Sequence, residues 1–239
     1  MNQDYESAIR TGSQSRQGEM DMGLRAYMLK IYNYMALGLG ITGVIAYYVA
    51  SNENLLMAIM GNQILFWGLI IAQFGAVMFL VSRVSKMSTR AAQLTFWGYA
   101  ALTGLTLSGV FAAYTFESLA RVFFITSGTF GAMSLYGYTT KRDLTAMGSF
   151  LMMGLMGLII ASVVNIFIQS SALMFLTSVL GVLIFVGFTA YDTQKLKHMY
   201  YQVGHTELAE NYAVVGALTL YLDFINLFLY LLRFMGDRR

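Results

Sequence analysis

The chain has 239 residues, of which 57% are hydrophobic and only 11% charged, with a formal net charge of +3; a soluble domain carries about 25% charged residues, so this is the composition of a membrane protein. With no Cys and only two His, His198 and His205, disulfides, thiol catalysis and Cys- or His-rich metal sites are excluded. The basic residues are scattered between apolar stretches instead of forming one face, which excludes a nucleic-acid partner and makes them topology signals.

Residues 1–27 are polar, lack the short apolar core and cleavage site of a signal peptide, and read as a cytoplasmic N-terminal tail. Crossing about 30 Å of hydrocarbon takes roughly 20 apolar residues at 1.5 Å each. By that measure spans are expected at 28–50, 63–82, 92–114, 120–139, 146–168, 172–191 and 211–234. The fifth and sixth share one uncharged stretch, 144–191, and the polar cluster Asn165, Gln169, Ser170 and Ser171 marks the turn between them. All are helices, because continuous apolar runs lack the alternation of a lipid-facing barrel strand. No linker interrupts them, so residues 28–236 form a single transmembrane domain and 237–239 a short C-terminal tail.

Orientation follows from Lys and Arg in short loops. Arg83, Lys86 and Arg90 follow the second span, Lys141 and Arg142 the fourth, and Lys195 and Lys197 the sixth, whereas the intervening loops carry only Arg121. The N-terminus, with Arg10, Arg16, Arg25 and Lys30, is therefore expected in the cytoplasm. Seven crossings put the C-terminus outside, yet Arg238 and Arg239 argue for the cytoplasmic side. The last segment either crosses despite its basic end or is re-entrant. Proline is absent, so any broken helix would rely on Gly, for instance at Gly38, Gly40 and Gly43, Gly128 and Gly131, or Gly154 and Gly157. The same small residues serve equally to let helices approach closely.

The last span reads LTLYLDFINLFLYLLRF from 218 to 234, and an ionised Asp223 in its middle costs roughly 2.5–3.5 kcal/mol. A second carboxylate, Asp192 in GFTAYDTQKLK, ends the sixth span, and Arg83 in MFLVSRVSK ends the second. Two carboxylates facing the bundle interior could share one proton. Asp223 is expected roughly 18 Å along its span, against one turn for Asp192. The two meet only if the last helix begins outside the hydrocarbon or is re-entrant; otherwise each is satisfied separately. Arg83 either neutralises an aspartate or snorkels to the surface. Glu117 and Arg121 are spaced as a solvated pair, and the dispersed Met residues read as core filling.

No nucleophile elbow, phosphate-cradling loop or zinc-protease motif is present, so no enzyme is expected. An aspartyl intramembrane protease is disfavoured, because Tyr191, Thr193, Leu222 and Phe224 flank the carboxylates where small glycines would let a substrate backbone approach.

LTLYLDFINLFLYLLRF with Asp223, FTAYDTQKLK with Asp192, and GYTTKRDL from Gly137 to Leu144 together resemble the Bax inhibitor-1 family, also called the transmembrane BAX inhibitor motif family, over about residues 25–236. The resemblance implies an all-α membrane protein of seven transmembrane helices, the seventh central and wrapped by the other six. It implies that Asp192 and Asp223 are the paired aspartates that sense protons in a pH-sensitive calcium leak. Calcium is then the permeant ion, the two carboxylates are its candidate ligands, and no other cofactor is required. Arg83 lies close to the place of a family arginine that pairs with the second aspartate and locks the closed state, with an alignment loose by a residue or more. Where a bacterial relative has an acidic residue in the second helix, this chain has Gln73. The resemblance also implies an alternative, a non-conducting stress-response regulator that binds a membrane-anchored ATP-dependent protease, with the polar tail as its handle. A proton-coupled transporter of small solutes is a third reading. A bacterial inner membrane is the expected location.

Overall fold

In hydrocarbon a chain must satisfy its backbone polar groups internally, and each apolar stretch of this sequence does so by closing into a helix. The computed structural model describes the backbone of residues 2–239 and the side chains of residues 20–239; Arg10 and Arg16 of the predicted tail lie outside the described side chains. The helices are α1 (Asn2–Ala50), α2 (Glu53–Met60), α3 (Gln63–Arg83), α4 (Thr89–Ala113), α5 (Phe116–Thr139), α6 (Thr145–Ile168), α7 (Ser171–Val203) and α8 (Ala209–Met235). Side-chain oxygens of Asn52, Asn62, Ser88, Thr115 and Ser170 accept from the backbone N–H three residues on and start α2, α3, α4, α5 and α7. The predicted turn in the long uncharged stretch forms at Gln169, whose φ of 52° ends α6, while Asn165 accepts from the N–H of Ser170 at 3.0 Å.

Among the described residues, six of these helices are long and apolar enough to cross a membrane, where seven spans were expected. The exception is α5, whose sequence mixes Glu117, Arg121 and several Ser, Thr and Gly with its apolar residues. Two further departures concern helix that the span pattern does not register, one segment being too short and the other too polar. α2 is a short connector that the span pattern passes over. α7 continues from the expected end at 191 to Val203, carrying Gln194, Lys195, Lys197 and His198. The packed part of α1 also begins earlier than residue 28, because Leu24 and Tyr27 are buried and Tyr27 lies against the ring of Tyr200 at 5.4 Å.

α8 is the centre of the bundle. It packs on α7, α1, α5 and α4, while α3 lies on the outside of α4 and α6 on the outside of α7. These four helices pack most closely on it, where six were expected to wrap it. Close approach is bought by glycine where backbones meet: a Cβ on Gly137 would lie 2.2 Å from the carbonyl oxygen of Ala190, and one on Gly38 2.7 Å from the ring of Phe96. Gly40, Gly43, Gly128, Gly131 and Gly157 face open space instead, and no helix breaks at any of them.

The two ends of α8 lie at opposite ends of α4. At its start, Asn211 Nδ2 donates to the carbonyls of Val84 (3.0 Å) and Met87 (2.8 Å), just before α4 begins. Beyond its end, the backbone N–H of Arg239 donates to Ala113 O (3.0 Å) and that of Thr115 to Asp237 O (3.2 Å), just after α4 ends. α8 is thus one continuous helix that runs the whole length of the bundle, roughly 40 Å by helical rise, and not a re-entrant hairpin.

Candidate functional site

Asp192 and Asp223 come together because of where the α7–α8 hairpin turns. The turn spans Gly204–Leu208, so α7 climbs about 11 residues past Asp192 before reversing and α8 descends about 14 before reaching Asp223. At 1.5 Å per residue those distances are roughly 16 and 21 Å, which sets the two residues within about one helical turn of each other in height. Each carboxyl lies close enough for its charge to act on the other, and both residues are buried, 7% and 5% exposed. The buried Oδ2 atom of Asp223 has no hydrogen-bond partner. Two carboxyls buried this close together favour holding one shared proton, since two ionised carboxylates would repel each other there. Removing the proton leaves two like charges in contact where little water can screen them.

The surroundings hold the pair without neutralising it. Next to Asp192, the Thr193 hydroxyl donates to the carbonyl of Thr189 (2.7 Å) and meets Ser134 Oγ of α5 at 3.0 Å. Its one proton being used, Thr193 accepts from Ser134, which in turn accepts from Tyr32 Oη of α1 at 3.0 Å. Two residues before Asp223, Tyr221 is fully buried between the rings of Phe96 and Tyr99. Its hydroxyl lies 2.6 Å from Thr42 Oγ1, which donates to Ala100 O at 2.8 Å. Gln194 accepts from the N–H of Leu144 (2.9 Å) and donates to Arg142 O (2.8 Å), tying α7 to the loop before α6. In that loop the hydroxyl and then the N–H of Thr145 donate to Asp143, which holds its carboxyl below the usual range.

Arg83 is not brought to the pair. It is exposed at the end of α3, on the far side of α4, and the cation whose charge acts on both aspartates is Lys195. Lys195 is itself exposed, with Nζ 5.9 Å from the Tyr191 ring centre. Gln73 also lies away from the pair, where it donates to Thr106 Oγ1 of α4 at 3.2 Å. Arg121 does not pair with Glu117 but donates to Asp237 of the C-terminal tail at 2.7 Å. Among the described residues no three His, Cys, Asp or Glu side chains converge as a metal site. A hard cation at the pair would have to complete its oxygen shell from backbone carbonyls, hydroxyls or water.

One cluster escapes a reading by hydropathy. Glu210, in the first turn of α8, forms an ion pair with Lys30 of α1 and accepts from Tyr34 Oη at 2.6 Å. Gln93 of α4 donates to Tyr34 at 2.6 Å. The available signal was an acid at a helix start, where the helix dipole favours negative charge; Lys30 read only as a topology residue.

Residues 24–239 match a family profile described as inhibitor of apoptosis-promoting Bax1. The chain is 49% identical over 219 residues to the inner membrane protein YbhL of Escherichia coli strain K12, covering 91% of this chain and 94% of that one. It is 50% identical over 240 residues to an uncharacterized protein of Rickettsia prowazekii, covering 99% of both chains. A third relative, an uncharacterized protein of Caulobacter vibrioides, is 44% identical over 231 residues, covering 92% of both chains.

Proposed function

The chain belongs to the Bax inhibitor-1 family and is an integral membrane protein with several apolar helices; on that premise we propose that it is a non-enzymatic, proton-gated cation leak with calcium as the permeant ion and no resident cofactor. The observation that carries the reading is the burial of two carboxyls, Asp192 and Asp223, on the packed faces of α7 and α8, with Asp223 Oδ2 left without a hydrogen-bond partner. One proton held between the carboxyls fastens α7 to α8 and keeps the pathway closed. Its loss puts two negative charges in contact, drives the helices apart and turns the same oxygens into a cation site. The sign follows by linkage: the closed state binds the proton, so raising the pH destabilises it and flux rises with pH.

The test is calcium entry into liposomes at several pH values. Wild-type protein is expected to leak faster as pH rises, and Asp192→Asn/Asp223→Asn, whose amides hydrogen-bond at every pH, to leak slowly and without pH response. A double variant that keeps the wild-type rate and pH response would sink the sensor. The pair would then be only a fastening between two helices, as suits a non-conducting regulator that binds a membrane-anchored ATP-dependent protease. Arg83→Gln is expected to leave the pH response unchanged, because Lys195 is the cation acting on the pair.

We further propose that α5 crosses with the other six, giving seven spans in a bacterial inner membrane with the N-terminus cytoplasmic and the C-terminus outside. This rests on the positive loops after α3, α5 and α7 and on α8 running from one end of α4 to the other. A reporter fused after Arg239 should be active only on the outer side; activity in the cytoplasm overturns it.

A further inference from the structure

α1 and α5 both pack on α8, and between them they leave a groove of about 410 Å³ that opens sideways. Its walls are Met28, Leu29 and Met35 on one helix and Phe130, Gly131 and Leu135 on the other. It runs along about ten residues, roughly 15 Å by helical rise. Its floor carries the Tyr32 and Ser134 hydroxyls, which satisfy each other at 3.0 Å and so make no polar demand on an apolar occupant. One end is cationic. Arg25 lines it, together with Tyr138, and Lys197 donates to the Tyr138 carbonyl at 2.9 Å with its ammonium 5.4 Å from that ring centre. Lys141 and Arg142 follow directly on α5. Among the described side chains the acids near this end are Asp21, one turn before Arg25, and Asp143, whose carboxylate is engaged by Thr145.

We propose that this groove is a binding site for an anionic phospholipid, one acyl chain lying between α1 and α5 and the headgroup on Arg25 and Lys197. In a bilayer an acyl chain gains no hydrophobic free energy by leaving its neighbours for a protein surface. Retention must therefore come from fit and from headgroup charge, which makes the cationic end decisive. The site does not depend on the protein conducting anything, and its test reads bound lipid instead of flux.

Protein is reconstituted in nanodiscs of mixed phosphatidylglycerol and phosphatidylcholine, extracted into mild detergent, and its retained lipid counted by native mass spectrometry. Wild type should retain phosphatidylglycerol over phosphatidylcholine, and high salt should weaken the preference. Arg25→Gln should reduce the preference about fivefold, the weight of one cation near an anionic headgroup. Gly131 supplies the steric arm, because a Cβ there meets no atom within 4 Å. Gly131→Leu should remove retained lipid of both kinds, and Gly131→Ala should keep it, which separates filling the groove from damaging the helix. Retained lipid in the bulk ratio, or unchanged retention in Gly131→Leu, overturns the site. Displacement of phosphatidylglycerol by an equal concentration of oleate would assign the groove to free fatty acid and overturn the phospholipid assignment.

Discussion

α6 and α8 are both uninterrupted helices of membrane length, and their compositions rank them the wrong way round for a soluble protein. α6 carries no charged residue, whereas α8 carries Glu210, Asp223 and Arg233. Yet 56% of the most apolar stretch of α8 is buried in the protein and only 11% of that of α6, which shows residues such as Phe167 (82% exposed) to the lipid. The difference teaches that in this molecule greasiness marks the outside. Lipid accepts any apolar side chain, so the peripheral helix needs nothing else. The central helix, surrounded by protein, can hold a carboxyl, a tyrosine hydroxyl and an asparagine amide that lipid would not accept.

The sharpest way to break that comparison is to truncate one apolar residue on each helix. Leu227→Ala on α8, at a position with 0% exposure, should cost about 2–5 kcal/mol through the cavity it leaves. Phe167→Ala on α6 should stay within about 0.5 kcal/mol. Reversible unfolding in mixed micelles measures both, and equal losses would mean that burial in the bundle adds nothing to burial in lipid. A smaller effect is expected from adding a methyl group. Gly137→Ala drives a Cβ into the Ala190 carbonyl and should cost about 1–3 kcal/mol while loosening α5 from α7. Gly157→Ala on α6 meets no atom within 4 Å; it should be neutral or gain up to about 1 kcal/mol of helix propensity. A loss at Gly157 as large as that at Gly137 would show that α6 packs against more than lipid.

Much of the helical layout was legible in the sequence. Every expected span lies within a helix or matches it to a residue or so, and the turn at Asn165, Gln169 and Ser170 falls where the polar cluster marked it. What escaped was helix outside hydrocarbon. α2, capped by Asn52, is apolar but only 8 residues long, too short to stand out as a span; the outer part of α7, held by contacts such as Tyr27 on Tyr200, is polar helix that hydropathy does not separate from loop. The candidate site was half legible. Asp192 and Asp223 stand out because charge is costly where they lie, but Glu210 does not, since an acid near a span end raises no alarm.

Taken by itself, the sequence determined the class of this protein, the number and approximate limits of its long helices, and the two carboxylates that demand an explanation. These follow from local quantities: residues per unit length of hydrocarbon and the cost of one charge within it. Only the tertiary structure decided that α8 is central, that Arg83 stays apart and that Asp192 and Asp223 are buried together between α7 and α8. Register between α7 and α8 depends on where the hairpin turns, well above the apolar stretch, and no periodicity records that height. Lipid and protein interior are equally apolar, so hydropathy alone does not tell which helix is surrounded by the others.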